Sequence, residues 1–503
     1  MPRTTCRSPR TPRSPSRSTR WVFGTLLAAG IAFASTRAKA QASRPPEREP
    51  DQADVMHILT SHGLHDFEEE RWNAYGQFTY ISTWKLPFSA RYTNANGSVR
   101  SLLPDGERSF TASASLFLGA HLWPGGEAYI VPEVIALRPL SGLNGLGGAV
   151  QNFELQKTGS ASPRVYRART YLQQTIGLGG TPLRKSSDPL QLATTVTSRR
   201  LVLRIGNFTI LDFLDRNALG SDPRQQFFNM AFMTYAAYDF ASDARGYSWG
   251  GIAELYWDAW AVRFGRISPP KHPNTLPVDL RLDRHYGDQI ELERKFELLG
   301  HPGAVRLLAY SNRALVGRFD DAVAAYRANP TMNAANCGDR YNYNSENTNA
   351  PDLCWVRNTH YKRGIGASVE QFFTDEIGVF VRGMVSDGNT EVYAYMPADR
   401  SLAFGALGKG SAWKRPHDVA GVGAAFAWIS KSHAEFLRLG GVDGFIGDGY
   451  LTQGTESVLE AFYSVNLLEA LWLSADYQHI TNPAFNADRG PVEIFGARMH
   501  AEF

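Results

Sequence analysis

Three observations predict an all-β fold: a transmembrane antiparallel β-barrel of about 16 strands preceded by a short N-terminal periplasmic helical segment. Apolar and polar residues alternate with period two in recurrent segments of roughly ten residues. The chain closes on such a segment, ending in Phe503. Beyond residue 40 nothing approaches an uninterrupted apolar run of about 18 residues, the least a membrane helix needs, although 43% of the 503 residues are hydrophobic.

The alternation is explicit. Phe110, Ala112, Ala114, Leu116, Leu118, Ala120 and Leu122 share one face, while Thr111, Ser113, Ser115 and His121 share the other. Ile365, Ala367, Val369 and Phe373 alternate with Ser368 and Glu370, and Val379, Val381 and Val385 with Arg382. Leu471, Leu473, Ala475 and Tyr477 alternate with Ser474, Asp476 and Gln478; Ile290, Leu292, Phe296 and Leu298 oppose Glu291, Glu293, Lys295 and Glu297. At the end Phe495, Ala497, Met499, Ala501 and Phe503 oppose Ile494, Gly496, Arg498, His500 and Glu502. An apolar edge strand at a chain end invites aggregation unless it pairs, and pairing with the first strand removes the edge. A closed barrel spans a membrane with one face in lipid and the other on a wet lumen, so mean hydropathy stays low, here −0.29.

The segments expected as strands are 75–84, 108–123, 126–138, 164–178, 199–211, 231–240, 247–258, 259–268, 287–299, 302–314, 362–374, 376–387, 418–430, 456–467, 470–480 and 491–503. Short links such as 374–376 read as periplasmic turns, and the long links 315–361 and 388–417 as outside loops or inward-folded constrictions. Trp413–Pro416 folds into the lumen or caps an external loop. Asp488–Pro491 reads as a tight turn between the last two strands. Trp257, Trp260, Trp428, Trp472 and Tyr463 fit aromatic girdles at the membrane interfaces.

Residues 1–40 read as a secretory signal peptide: eight Lys and Arg, no Asp or Glu, the apolar run Trp21–Ala34 and small residues at Ala38 and Ala40. An uncleaved anchor is the alternative, but the run is short for a span. Without these eight cations the formal charge of +3 becomes −5, which removes the electrostatic case for nucleic acid. Residues 41–71 form a Pro-rich linker and a short helix. There His57, His62 and His65 with Glu68, Glu69 and Glu70 match no defined metal spacing, and a helix or plug with a solvated acidic face is the preferred reading. The barrel then occupies 72–503. Cys337 and Cys354 bracket a polar stretch and would pair as a disulfide in an oxidising compartment; two unrelated thiols are the other reading. The sequence implies no metal and no cofactor. The Gly142–Gly148 run is not a dinucleotide fingerprint, and no GxSxG, HExxH or paired-carboxylate arrangement suggests an enzyme.

The run 440–503, and above all DYQHITNPAFNADRGP at 476–491, resembles the carbohydrate-selective porin family of OprB-type outer-membrane channels. RIGNFTILDFLDRNALGSDPRQQFFN (204–229), YDFASDARGYSWGG (238–251), HLWPGGEAYIVPE (121–133) and VEQFFTDEIGVFVRGMVSDGNTEVY (369–393) resemble further blocks, and the similarity extends from about Trp72 to Phe503. The resemblance implies a bacterial outer-membrane porin of sixteen strands that passes monosaccharides, and short oligosaccharides, into the periplasm through an eyelet of Arg and Glu side chains. Its partners would be sugars and outer-membrane lipid; a homo-oligomer is compatible with it.

A sugar channel needs donors and acceptors to replace lost hydration, with both charge signs crowded at the narrowing. Parity nominates the lining. Arg167 and Arg169 alternate inward with Tyr171 and Gln173, and Glu127 and Glu133 come from the preceding strand. Arg204, Glu254, Arg263, Glu291, Glu293, Glu370, Arg382, Glu460, Asp476, Gln478 and Arg498 lie on polar faces. Each could instead be a wall ion pair that stiffens the barrel. A porin of this architecture for organic acids, and a secreted β-rich protein that binds or acts on carbohydrate, are the competing functions.

Overall fold

A computed structural model describes residues 55–503 apart from 69, 330–336 and 338–348. The proposed leader and the start of the linker, with Glu69, lie outside the described residues.

Sixteen antiparallel strands close into one barrel: β1 (Trp72–Lys85), β2 (Glu107–Trp123), β3 (Gly126–Arg138), β4 (Arg164–Gly177), β7 (Arg199–Phe208), β8 (Ser248–Trp257), β9 (Trp260–Ile267), β10 (Tyr286–Leu298), β11 (His301–Val316), β12 (Asn358–Phe372), β13 (Ile377–Ser386), β14 (Arg400–Gly410), β15 (Arg415–Trp428), β16 (Glu456–Leu468), β17 (Leu471–Thr481) and β18 (Val492–Glu502). A separate hairpin, β5 (Pro182–Lys185) and β6 (Thr194–Thr197), lies in the link between β4 and β7. Each barrel strand pairs with its sequence neighbour, and β1 closes on β18 with Gln77 opposite Glu502 and Lys85 opposite Ile494. At the seam the Gly76 amide donates to the Phe503 carbonyl at 2.5 Å, and the Phe503 amide donates back at 2.9 Å. A Cβ on Gly76 would overlap the Phe503 ring where it sits at the seam.

Links 124–125, 258–259, 299–300 and 469–470 have two residues each, which marks their end as periplasmic. The long links, 86–106, 139–163, 209–247, 268–285, 317–357, 387–399 and 429–455, all lie at the other end. The exception on the periplasmic side is 178–198, which carries the β5–β6 hairpin.

Parity holds along most strands. Leu116 and Leu118 are exposed on the lipid side of β2, whereas Thr111, Ser113 and Ser115 are buried on its inner side. Trp257 and Trp260 are exposed beside the turn that joins β8 and β9, as a girdle requires. Trp472 differs: it is buried on the inner wall with its ring 5.8 Å from His500.

Two expected elements are corrected. Residues 231–240 are not a strand; a short helix α2 (Met230–Met233) begins there, and Phe232, Tyr235, Tyr238 and Phe240 are buried inside the barrel. Conversely, 400–410 is not loop but β14. Its inner face is Ser401, Ala403, Gly405 and Leu407, and a Cβ on Gly405 would crowd Phe227 and Phe380. The same folded-in segment explains both differences. Where link 209–247 fills the lumen the wall beneath it is dry, so β14 is apolar on both faces and loses its alternation. The barrel therefore has a protein core: Phe227 packs on Phe232 (4.5 Å), Phe462 (5.1 Å) and Phe380 (5.9 Å).

Smaller corrections concern links. Trp413 sits in the tight link from β14 to β15 at the periplasmic end, exposed and donating to the Tyr463 hydroxyl at 2.9 Å, not in the lumen. The β17–β18 connection is longer than a tight turn, running 482–491 and containing a cis Gly490–Pro491 bond. On the outside, α3 (Phe319–Ala328) meets α4 (Lys431–Arg438) through Phe319, stacked at 4.1 Å on His433. Cys337 and Cys354 form a disulfide beside α3, with 5.3 Å between Cα atoms and Trp355 packed against it.

At the N-terminus α1 (Val55–Ser61) buries Met56 against the inner wall near Tyr75 and Phe117. Glu70 is not on a solvated face. It is buried, meets His65 at 3.1 Å, and accepts from Ser187 Oγ at 2.6 Å and from the Ala193 amide. It thereby fastens the periplasmic link 178–198.

Candidate channel constriction

Link 209–247 enters the lumen from the outer end, and its backbone must satisfy its hydrogen bonds there without a sheet partner. Side chains of the wall supply them. Glu460 on β16 accepts from the Phe228 amide at 2.5 Å and the Asn229 amide at 3.0 Å. Gln478 on β17 accepts from Asn229 Nδ2 at 2.9 Å and donates to Asp476 at 2.7 Å. Arg498 on β18 donates to the carbonyls of Pro223 (2.8 Å) and Gln226 (2.9 Å). Arg382 on β13 donates to the Met233 carbonyl at 2.8 Å and pairs with Asp215 at 3.3 Å. Glu291 accepts from the Asp215 amide at 2.7 Å, and Glu370 from the Ala218 amide at 2.8 Å. Arg169 clamps Asp212 with two bonds of 2.7 Å at the entry of the link. Burial pushes the Asp215 carboxyl up from its ordinary range, with Arg382 opposing.

Along β3, β4 and β7 to β11 the register builds a belt of alternating charge, which shares Glu291 with the contacts to link 209–247. Cross-strand pairs Glu127–Gln173, Gln173–Arg204, Glu254–Arg263, Arg263–Glu291 and Glu293–Arg306 place these side chains in one row on β3, β4 and β7 to β11. Gln173 donates to Glu127 at 2.8 Å and accepts from Arg204 at 2.7 Å. Arg204 bonds Glu254, and Arg263 reaches Glu254 at 2.9 Å, Glu291 at 2.8 Å and Glu293 at 3.4 Å. Arg306 then joins Glu293 at 2.7 Å to Glu370 at 3.0 Å. Isolated charges at this depth would be costly; a row in which each carboxylate meets a guanidinium or an amide is tolerated. Nearby, Glu133 accepts from Lys157 (2.7 Å), Ser115 (2.9 Å) and Tyr166, fastening link 139–163. Burial alone would lower the Lys157 ammonium, but the Glu133 carboxylate overrides it and holds it above its ordinary value.

The sequence candidates thus separate. Glu370, Arg382, Asp476, Arg498 and Arg169 support the inward link; Glu127, Arg204 and Glu254 belong to the belt; Glu133 holds a second link. Arg167 does not face the lumen. The register slips between Val131 and Pro132, leaving Ala168 without a partner, and Arg167 turns to the outer face over the Trp249 ring at 5.1 Å. Pro132 has no amide to give to the ladder, and a bulge that adds one residue reverses parity beyond it. Sequence reasoning missed Arg306, whose strand residues 302–314 were expected but whose partners on β10 and β12 appear only with the register. It also missed Asp212, Asp215 and Lys157, which lie on links and carry no parity signal.

Lys185, Arg216 and Lys295 were not nominated as lining residues either. Lys185 lies on β5, Arg216 is exposed on link 209–247, and Lys295 lies on the inner face of β10 at the periplasmic mouth. The Glu293 and Glu370 carboxylates act on the Lys295 charge. Burial, with the neighbouring charges of Arg200, Lys295 and Arg216, lowers the Lys185 ammonium to about 8.

Comparison with known proteins agrees with this architecture. A family model described as carbohydrate-selective porin, OprB family, matches residues 100–503. The high-pH structure of OprB from Pseudomonas putida superposes with a TM-score of 0.62 at 16% identity, covering 86% of this chain and 94% of that one. The outer-membrane channel DcaP of Acinetobacter baumannii aligns with a TM-score of 0.46 at 9% identity, over 88% of this chain and 100% of that one. No curated protein matches. With a matched region that spans fifteen of the sixteen closed strands and the loop folded within them, this chain belongs to the carbohydrate-selective porin (OprB) family of the bacterial outer membrane.

Proposed function

We propose that monosaccharides diffuse passively into the periplasm along the passage left between link 209–247 and the charged belt, and that this link sets the size limit. The observation that carries the reading is the set of wall side chains, Glu291, Glu370, Arg382, Glu460 and Arg498, whose hydrogen bonds end on the backbone of that link. A narrowing held at so many points keeps its width, and size selection needs a fixed width. The belt of Glu127, Arg204, Glu254 and Arg263 offers closely mixed charge, so neither ion sign gains a strong net field there, while solute binding stays weak enough for release. Residues 1–40 act as the export signal and 41–71 as a periplasmic linker with a short helix. Purified protein in a planar bilayer should form small channels whose current falls as glucose is added. A protein that forms no channel, or one whose current ignores glucose, overturns the reading.

A further inference from the structure

Outward positions on β9 to β13 fall into cross-strand rows. Phe264, Ile290, Ala309, Ile365 and Val385 form one row; all but Ala309 are exposed, so this row faces the acyl chains. The next row toward the outside is Arg266, Asp288, Ser311 and Arg363, and the one beyond it Tyr286, Arg313 and Tyr361. The change from apolar to charged takes two residues, about 7 Å of strand, which sets these side chains at the height of the lipid head groups.

Short contacts tie the two polar rows together. Arg266 lies over the Tyr286 ring at 4.2 Å and holds both oxygens of Asp288 at 2.7 Å. Arg313 and Arg363 lie over the Tyr361 ring at 5.9 Å and 4.9 Å, the one outward ring that two guanidiniums share among the described residues. As diagonal neighbours on paired strands they stand about 7–8 Å apart. Arg313 donates to the Arg284 carbonyl at 2.6 Å and Arg363 to Ser311 Oγ at 3.3 Å, both neutral acceptors that use one nitrogen of each fork. The nearby carboxylates are engaged elsewhere: Asp288 with Arg266, Asp279 with Arg281 and His285, and Asp387 with the Asn389 amide and the Thr390 hydroxyl. Asp283 stands 3.8 Å from Arg284. Apart from Asp288, no outward position of β10 to β13 is acidic.

We infer that Arg313 and Arg363 hold a phosphate of an outer-leaflet lipid head group against Tyr361 on the lipid-facing rim. A phosphate accepts bidentate bonds from both forks and relieves the repulsion between two like charges on one ring. The exposed apolar row beneath seats the acyl chains of the same molecule, a contact that a free phosphate ion lacks.

The test takes the full chain in detergent with diphosphorylated lipid A, the dephosphorylated lipid with the same acyl chains, or inorganic phosphate, and reads the bound fraction by native mass spectrometry. Lipid A should bind, and each of the other two at least roughly tenfold more weakly, one having lost the charge-assisted bonds and the other the apolar contact. R313Q/R363Q, checked as a barrel by heat-dependent gel migration, should weaken lipid A binding roughly tenfold and leave the glucose-sensitive conductance unchanged, because the patch is outside the lumen. Ser311→Trp sets an indole beside both arginines and should block binding likewise; it decides the case if the double variant does not fold. Equal binding of the dephosphorylated lipid or of inorganic phosphate overturns the inference, as does undiminished lipid A binding in the folded variants. A smaller oligomer in R313Q/R363Q assigns the patch to contact between copies of the chain and overturns it too. Each of these results leaves the sugar channel standing.

Discussion

Arg382 on β13 and Asp215 on link 209–247 form an ion pair at 3.3 Å with both side chains fully buried, and the same guanidinium holds the Met233 carbonyl at 2.8 Å. One wall residue thus fixes both the charge and the backbone of the segment that narrows the lumen.

Replacing it should loosen that segment. Arg382→Ala leaves the Asp215 carboxylate without its guanidinium, a loss of about 3–5 kcal/mol for a buried pair, and opens the narrowing. Single-channel conductance is expected to rise and the block by glucose to weaken. Unchanged conductance would show that link 209–247 does not set the width.

The seam makes a separate prediction. Deleting Phe503 removes both backbone hydrogen bonds to Gly76, and Gly76→Val forces a side chain into the space of the Phe503 ring. Both variants should yield less folded barrel, read as a smaller heat-shifted fraction on gels. Normal yield from both would place the closure of the sheet elsewhere.

The Cys337–Cys354 disulfide lies outside the barrel wall. A cross-link closing a loop of this size contributes about 3 kcal/mol to the segment it closes. The double variant C337S/C354S should retain the heat-shifted band yet be cut sooner by added protease within 317–357. Loss of the barrel band would show that the cross-link supports the whole fold.

Lys185 should give the ion selectivity of the channel a pH dependence. Burial and the surrounding cations lower its ammonium to about 8, so the charge is present below that value and is lost as pH rises through it. The chloride-to-potassium permeability ratio is therefore expected to fall from about pH 7 to about pH 9, and Lys185→Arg, which stays charged, should flatten the curve. A ratio that does not change over that interval removes Lys185 from the lumen field.

The period-two pattern alone decided which side chains face lipid. Leu116 and Leu118 turn outward and Ser113 and Ser115 inward because successive residues of a strand point to opposite faces, and the terminal Phe503 strand announced a closed sheet. That information is local, so it survives without the partner strands. Tertiary structure decided whatever depends on distant partners. The slip at Pro132 turned Arg167 outward, and the folded-in link dried the inner face of β14 and hid its alternation. Charge satisfaction is the deepest of these: parity turns Glu370 inward, yet only the closed barrel shows it spent on Arg306 and the Ala218 amide. A hydrogen bond joins groups more than a hundred residues apart in sequence as readily as neighbours, and only the closed barrel brings them within reach.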